Sequence, residues 1–417
     1  MLNLDFMIKH YRFLFAALLL SLSCFGQSKK PITNSVYYPT ANAWEKRSPE
    51  SLGLSPLDIQ KAIKIAQESE SPNPRSMEEN HYKTFGKEPF GDGIGPFEDR
   101  GDQTGIIIYK GYKIAEWGTP LKCDMTHSVA KSFLSSVVGL AVDQQLISSV
   151  NDFVAPYIPP IELFALNPVT KPAEQFKQSE LLQPFNTPHN KSITWESMLR
   201  QTSDWEGTLW GKPDWADRPD ADPKKWLNRT RNVPGTVYEY NDVRVNALAL
   251  AVTSVFRKPL PQVLKQYIMD PIGASTTWRW TGYRNSWIVL DGQPVQAVSG
   301  GGHWGGGMFI HAEDMARFGL LTLRNGKWNN QQLLSESWLK QARTPGTANP
   351  EYGYMNFFLN TNRKFLPAAP ASAFVHVGNG NNIIYVDQEN DLVVILRWIN
   401  QKGMNETIEA ILSAFKK

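Results

Sequence analysis

Stretches with β character fall at two places far apart in this chain, and one sheet has to gather both. Gly105-Ile106-Ile107-Ile108-Tyr109 and Tyr112-Lys113-Ile114-Ala115-Glu116-Trp117 flank Lys110-Gly111, a hairpin turn. Three more apolar runs follow one another closely near the end, at 373–377, 383–386 and 392–398. Short turns between neighbouring strands predict antiparallel pairing, and a sheet needs helices to cover its faces. Helical patterns supply that cover. Ser55-Pro56-Leu57-Asp58 opens one that runs to about 69, a second covers 312–322, and a last one spans about 406–415. Between the two strand groups the apolar spacing is helical, from Ser128 through Phe133, Val137 and Leu140 to about 146, and again after Asp242. The expected class is therefore α/β in the α+β sense: an antiparallel sheet flanked by helices, with a helical lobe inserted. The sheet lobe is predicted at about 55–127 and 290–417, and the helical lobe at about 128–289.

Residues 1–26 behave differently from the rest. Lys9 and Arg12, an apolar run over 13–22 and the small residues of Cys24-Phe25-Gly26 form a secretory signal peptide, cut after Gly26. The protein is expected to be exported, periplasmic or secreted, with Cys24 as an alternative lipoprotein anchor. No integral membrane span is predicted, since the leader run is short and no later segment is apolar enough to cross a bilayer. A net charge of +3 over 417 residues gives no case for a nucleic-acid partner. With the leader removed, Cys123 is the only cysteine, and it reads as core packing. The Pro-, Gly- and charge-rich stretch 70–103 reads as a long functional or mobile loop. Asp214, Asp217, Asp220 and Asp222 lack calcium-loop spacing and read as a solvated loop, with the nearby tryptophans either lining a pocket rim or packing.

Chemistry enters through Ser-x-x-Lys, a spacing common enough to occur here three times, at Ser128/Lys131, Ser337/Lys340 and Ser413/Lys416. Only the first opens an apolar helix. Residues three apart share a helix face, so the Lys131 amine can meet the Ser128 hydroxyl and accept its proton. Pro234-Gly235-Thr236-Val237-Tyr238-Glu239-Tyr240-Asn241-Asp242 presents a phenol on a turn, able to relay a proton. His376-Val377-Gly378-Asn379-Gly380 closes a tail strand with a glycine edge, where a substrate can approach backbone N–H groups.

Taken in order, these pieces resemble the serine β-lactamase and penicillin-binding-protein superfamily. The chain is most similar there to the class C-like branch, with its family VIII-type esterases and 6-aminohexanoate-oligomer hydrolases. Residues 193–203 and 312–319 resemble the same branch. The resemblance implies Ser128 as acylated nucleophile, Lys131 as base or proton relay and Tyr240 as second relay group. It also implies an oxyanion hole from the Ser128 and Asn379 N–H groups, with Asp242, His376 and Gly378 supporting the site or binding substrate. Two departures stand out. Asp242 replaces the asparagine of a Tyr-x-Asn motif and favours a charged Lys131. His376-Val377-Gly378 replaces Lys-Thr-Gly, which weakens any grip on a β-lactam carboxylate. Trp304-Gly305-Gly306 is an alternative edge, set aside as preceding a helix, and His127, His303 and His311 read as structural. With no Gly-x-Ser-x-Gly elbow and no His/Cys cluster, neither an α/β-hydrolase nor a metal or other cofactor is implied. The expected function is an exported serine hydrolase cleaving a small-molecule ester or amide through an acyl-serine. The alternatives are a D,D-peptidase or β-lactamase acting on peptidoglycan-like substrates, and a non-catalytic cell-wall-binding protein of the same fold.

Overall fold

The computed structural model describes residues 36–164 and 181–415, apart from 42 and 228. The leader 1–26 and Cys24 lie outside the described residues. Both strand groups meet in one six-stranded sheet. Its order is Phe358–Leu359, Phe374–Gly378, Asn382–Asp387, Leu392–Arg397, Thr104–Tyr109 and Tyr112–Trp117, each neighbouring pair antiparallel. The first predicted hairpin pairs with the last tail strand, Thr104 opposite Arg397 and Tyr109 opposite Leu392. Three of these strands are buried at every residue, which explains why they read as continuous apolar runs rather than alternating ones.

Each face has its own helical cover. Ile107, Tyr385 and Val394 pack with Ile59 of helix Pro56–Glu68 and with Met404 and Ile408 of helix Gln401–Ser413. Ile106, Ile384 and Ile395 pack on the opposite face with Phe318 of helix Ala312–Leu323. Ser55 caps the first of these helices by accepting the Asp58 N–H. The last begins at Gln401, earlier than the sequence suggested, because Asn400 accepts the Gly403 N–H and fixes its start.

The middle of the chain is less purely helical than its spacing implied. Helices Ala130–Asp143 and Asp242–Phe256 are both present. However, Arg279–Leu290 is a twelve-residue strand in a second sheet with Gln293–Val298, Gly307–Ile310, Asp124–Met125 and Glu162–Leu163. A register shift between Gly282 and Trp287 breaks its alternation, which hides it from a period-two reading. From Tyr37 onward the chain forms one compact unit, so the sheet and helical lobes are regions of one body. Among the described residues, no helix is long and apolar enough to cross a membrane.

Arg397 joins the two sheets. It is buried at the end of a strand of the first sheet and pairs with Asp124 of the second. Its other donors reach the Ile310 carbonyl at 2.6 Å, the Met125 carbonyl at 2.9 Å and Asn382 Oδ1 at 3.0 Å. Removing one partner of a buried ion pair strands the other charge, at a cost of about 3–5 kcal/mol. Arg397→Met is therefore expected to lower the unfolding free energy in urea by about that amount. A loss below about 1 kcal/mol would mean that Asp124 finds compensation elsewhere.

Candidate active site

Ser128 sits in a tight 3-10 turn, His127–Val129, that runs into helix Ala130–Asp143. The residue before it, His127, has φ +49°, a left-handed conformation that costs a non-glycine residue roughly 1–2 kcal/mol. Packing holds it there: the His127 ring lies 6.0 Å from Trp398, and the Thr126 N–H donates to the Met308 carbonyl at 2.9 Å. Gly378 presses on the same turn. A Cβ at Gly378 would overlap the Thr126 carbonyl and stand 3.3 Å from the Ser128 nitrogen. The glycine is thus required by close backbone approach, and it brings the edge of strand Phe374–Gly378 alongside the Ser128 turn.

Lys131, one turn on, is fully buried. Its Nζ donates to Ser128 Oγ at 2.9 Å and to Asp242 Oδ1 at 2.5 Å, and lies 4.8 Å from the centre of the Tyr240 ring. Asp242 opens helix Asp242–Phe256, whose start is fixed by Asn241 accepting the Arg244 N–H. Burial alone would raise the Asp242 carboxyl, but the Lys131 and Arg218 charges outweigh it and hold it well below the usual carboxylate range. Burial and then the Asp242 charge push the Tyr240 phenol well above its ordinary value, although the Ser128 hydroxyl is close enough to act on it. Tyr240 is therefore a neutral donor at ordinary pH. Gly301 completes the fit, since a Cβ there would overlap both the Asp242 carboxylate and the Lys131 ammonium.

Behind this pair lies a layer that sequence reasoning missed. Arg218 Nη1 donates to Asp242 Oδ2 at 2.9 Å and also pairs with Asp217, whose carboxylate accepts the Asp242 N–H. His303 Nε2 is 2.7 Å from Glu88 Oε2 and 3.6 Å from Asp217 Oδ1, while its Nδ1 lies 3.6 Å from Asp242 Oδ2. The Asp-rich stretch is thus not simply a solvated loop. Asp214 and Asp217 are buried, Asp214 being paired with Arg231 and Arg244, and only Asp220 and Asp222 are exposed. No local spacing signals this, because beyond the adjacent Arg218 the partners, Arg231, Arg244 and His303, come from distant parts of the chain. Glu88, Asp217 and His303 each place one ligand atom within 4.8 Å of the others. Arg218 already holds Asp217, and Lys131 bonds Asp242 beside it, so an added cation would meet two positive charges there.

A cavity of about 510 Å³ opens over Ser128, walled by Tyr240, Arg218, Phe358, Val377, Gly378 and Asn379. His376 does not reach it. The strand turns that ring into the core against Phe318, Phe357 and Phe374, fully buried, so Val377 and not His376 faces the cavity. Trp304 is also buried, and its run leads into strand Gly307–Ile310 rather than directly into a helix. His311 caps helix Ala312–Leu323 through Nδ1, and Cys123 Sγ donates to the Thr277 carbonyl. Trp205 and Trp210 are packed inside, and Trp215 stacks on Trp226 away from this cavity.

Neither His376 ring nitrogen has a hydrogen-bond partner. The Asn356 backbone acts on the ring without reaching hydrogen-bonding geometry. Burial pushes the imidazole down to about 3. An unfolded chain protonates this ring below about pH 6.5 and the folded chain only near pH 3, so native stability falls as pH drops through that window. His376→Leu should therefore gain on wild type by about 2 kcal/mol in urea unfolding when the pH is lowered from 7.5 to 5. A difference that does not change with pH would show that the ring is not held neutral.

The β-lactamase family model matches residues 125–412, a span that contains Ser128, Lys131, Tyr240 and Gly378. No curated protein sequence matches the chain. Among solved structures, a putative 6-aminohexanoate-dimer hydrolase from Bacillus anthracis superposes with a TM-score of 0.51 at 14% identity, covering 91% of this chain and 87% of that one. A family VIII carboxylesterase gives 0.52 at 14% identity, covering 87% and 99%. A penicillin-binding-protein homologue from Caulobacter crescentus gives 0.52 at 12% identity, covering 87% and 99%. At such identities the likeness establishes the fold, and the family match establishes descent. This chain belongs to the β-lactamase family, within the serine β-lactamase and penicillin-binding-protein superfamily.

Proposed function

We propose that this protein is a serine hydrolase that cleaves an ester or amide through an acyl-Ser128 intermediate. One observation carries the reading: Ser128 Oγ lies at the foot of an open cavity, 2.9 Å from a lysine that is itself 2.5 Å from a buried carboxylate. As Ser128 attacks the carbonyl carbon, Lys131 takes its proton while passing one to Asp242. The carbonyl oxygen gathers negative charge against the N–H groups of Ser128 and Asn379. Tyr240, neutral and beside both Ser128 and Lys131, hands a proton to the leaving group. Water then resolves the acyl-enzyme by the same route in reverse.

The cavity wall favours an ester or amide over a β-lactam. Among the described residues its one charged side chain is Arg218, already paired with Asp217 and Asp242. The remainder mixes apolar side chains, Phe85, Phe358, Val377 and Ile399, with neutral polar ones such as Asn73, Asn379, Asn400 and Gln401. A penicillin or peptidoglycan carboxylate has no unpaired cation to meet there. A family VIII carboxylesterase and a hydrolase with promiscuous acyltransferase activity share this fold, which accords with the reading. Export rests on the leader pattern of residues 1–26.

A fluorophosphonate probe is expected to label wild type and not Ser128→Ala, and short-chain p-nitrophenyl esters should turn over far faster than penicillin acylates the enzyme. Labelling that persists in Ser128→Ala sinks the assignment, and efficient penicillin acylation would move it to the peptidase reading. Cell fractionation tests export: a mature chain starting at Gln27 outside the cytoplasm is expected, and a full-length cytoplasmic chain would overturn it.

A further inference from the structure

Two cations, Lys131 and Arg218, face three carboxyl groups, Asp242, Asp217 and Glu88, in one cluster bridged by His303 and buried except where Arg218 borders the cavity. With all three carboxyls ionised and the histidine neutral, the cluster carries one net negative charge, which a low-dielectric interior opposes. Geometry indicates where a neutralising proton would sit. Asp242 and Asp217 are fixed by direct bonds from Lys131, from Arg218 and from the Asp242 N–H. Glu88 instead meets the neutral ring of His303, at 2.7 Å, and the Arg218 backbone, with no cationic side chain bonded to it. Its side chain is 17% exposed, so among the three carboxyls it is the one with a route to solvent.

We propose that Glu88, acting through His303, sets the charge that faces the Lys131–Asp242 pair and so controls how readily Ser128 gives up its proton. The proposal rests on the reading of Ser128 as nucleophile. With Glu88 protonated, its O–H donates to His303 Nε2, and the ring proton sits on Nδ1, facing Asp242 Oδ2 at 3.6 Å. With Glu88 ionised, Nε2–H donates to the carboxylate, and a lone pair on Nδ1 faces Asp242 instead. That change releases one proton to solvent and leaves the cluster one charge more negative. With one proton fewer, the cluster can take the one that Ser128 passes through Lys131 to Asp242, so acylation returns it to neutrality. Glu88 and His303 are positioning residues here, since neither touches the reacting atoms.

The surroundings agree with this assignment. Burial and then the Asp217 charge raise the Glu88 carboxyl to about 7, against the opposing Arg218 charge and with a smaller push from Asp242. His303 is held neutral by burial, with Arg218, Lys131 and His81 opposing its protonation and Asp242 favouring it. The Phe85 ring packs on it at 4.2 Å. His81 is itself pushed below its ordinary value by burial, and Lys212, whose ammonium is bonded to the Phe90 and Asp92 carbonyls, opposes its charging. Asp217, 3.6 Å from the same ring nitrogen, is also raised, to about 6, by burial against the opposing Arg218 charge, so it ionises ahead of Glu88 as the pH rises.

The test is the rate of Ser128 labelling by a fluorophosphonate between pH 6 and 8, in wild type and in Glu88→Gln, which keeps the shape and a donor but cannot ionise. Wild type should rise roughly tenfold across this range, while the variant matches wild type at pH 6 and stays flat, ending roughly tenfold slower at pH 8. A variant that keeps the rise, or that is slowed equally at every pH, overturns the proposal. Nitrogen-15 NMR of the His303 ring in wild type gives a readout independent of activity and of the variant's folding. The proton is expected to move from Nδ1 to Nε2 between pH 6 and 8, and a fixed tautomer overturns the proposal. If wild type shows no Ser128-dependent labelling at any pH while the tautomer still switches, it is the hydrolase reading that fails and not the setting of charge by Glu88.

Discussion

The contact between Lys131 and Asp242 imposes most of the demands that the rest of the molecule meets. Two opposite charges 2.5 Å apart, both withdrawn from water, are stable only with close geometry and further partners. Arg218 supplies the second bond to Asp242, and the Asn241 cap fixes the helix that presents the carboxylate. The turn at 299–307 has to pass so near the pair that only hydrogen fits at the Gly301 Cα. On the other side, the strained His127 turn carries Ser128 into reach of the same ammonium. A lysine so placed is committed to two oxygens, one of which also faces the open cavity.

The fold explains how three distant segments hold that geometry. The Ser128 helix and the Asp242 helix pack together, while the Gly378 edge arrives on the six-stranded sheet. Arg397 ties this sheet to the strands that precede Ser128 and follow Gly306, and through Asn382 it reaches the Asn379 carbonyl. A buried guanidinium with four partner residues fixes relative position more tightly than apolar packing does, because losing any one bond leaves a polar group stranded.

Much of this was legible in the residues. The apolar runs gave the main sheet and its antiparallel sense, and the Ser55 cap placed the first helix correctly. Ser128, Lys131, Tyr240, Asp242, Gly378 and Asn379 meet around one cavity or directly beneath it. Other parts were hidden for physical reasons. The Arg279–Leu290 strand carries a register shift that erases its period. His376 reads as a strand-edge residue, but which face a strand turns to its core is a matter of register, and here Val377 takes the open side. Glu88, Asp217, Arg218 and His303 form contacts over as many as 215 positions of chain, and such charge clusters leave no local spacing to read.

The most direct test of the account is to trap the acyl group. Enzyme mixed with a slowly hydrolysed p-nitrophenyl ester, quenched in acid and digested with trypsin, should yield one acylated peptide, residues 123–131, with the adduct on Ser128. An adduct on another residue, or continued turnover with no adduct on that peptide, would contradict it.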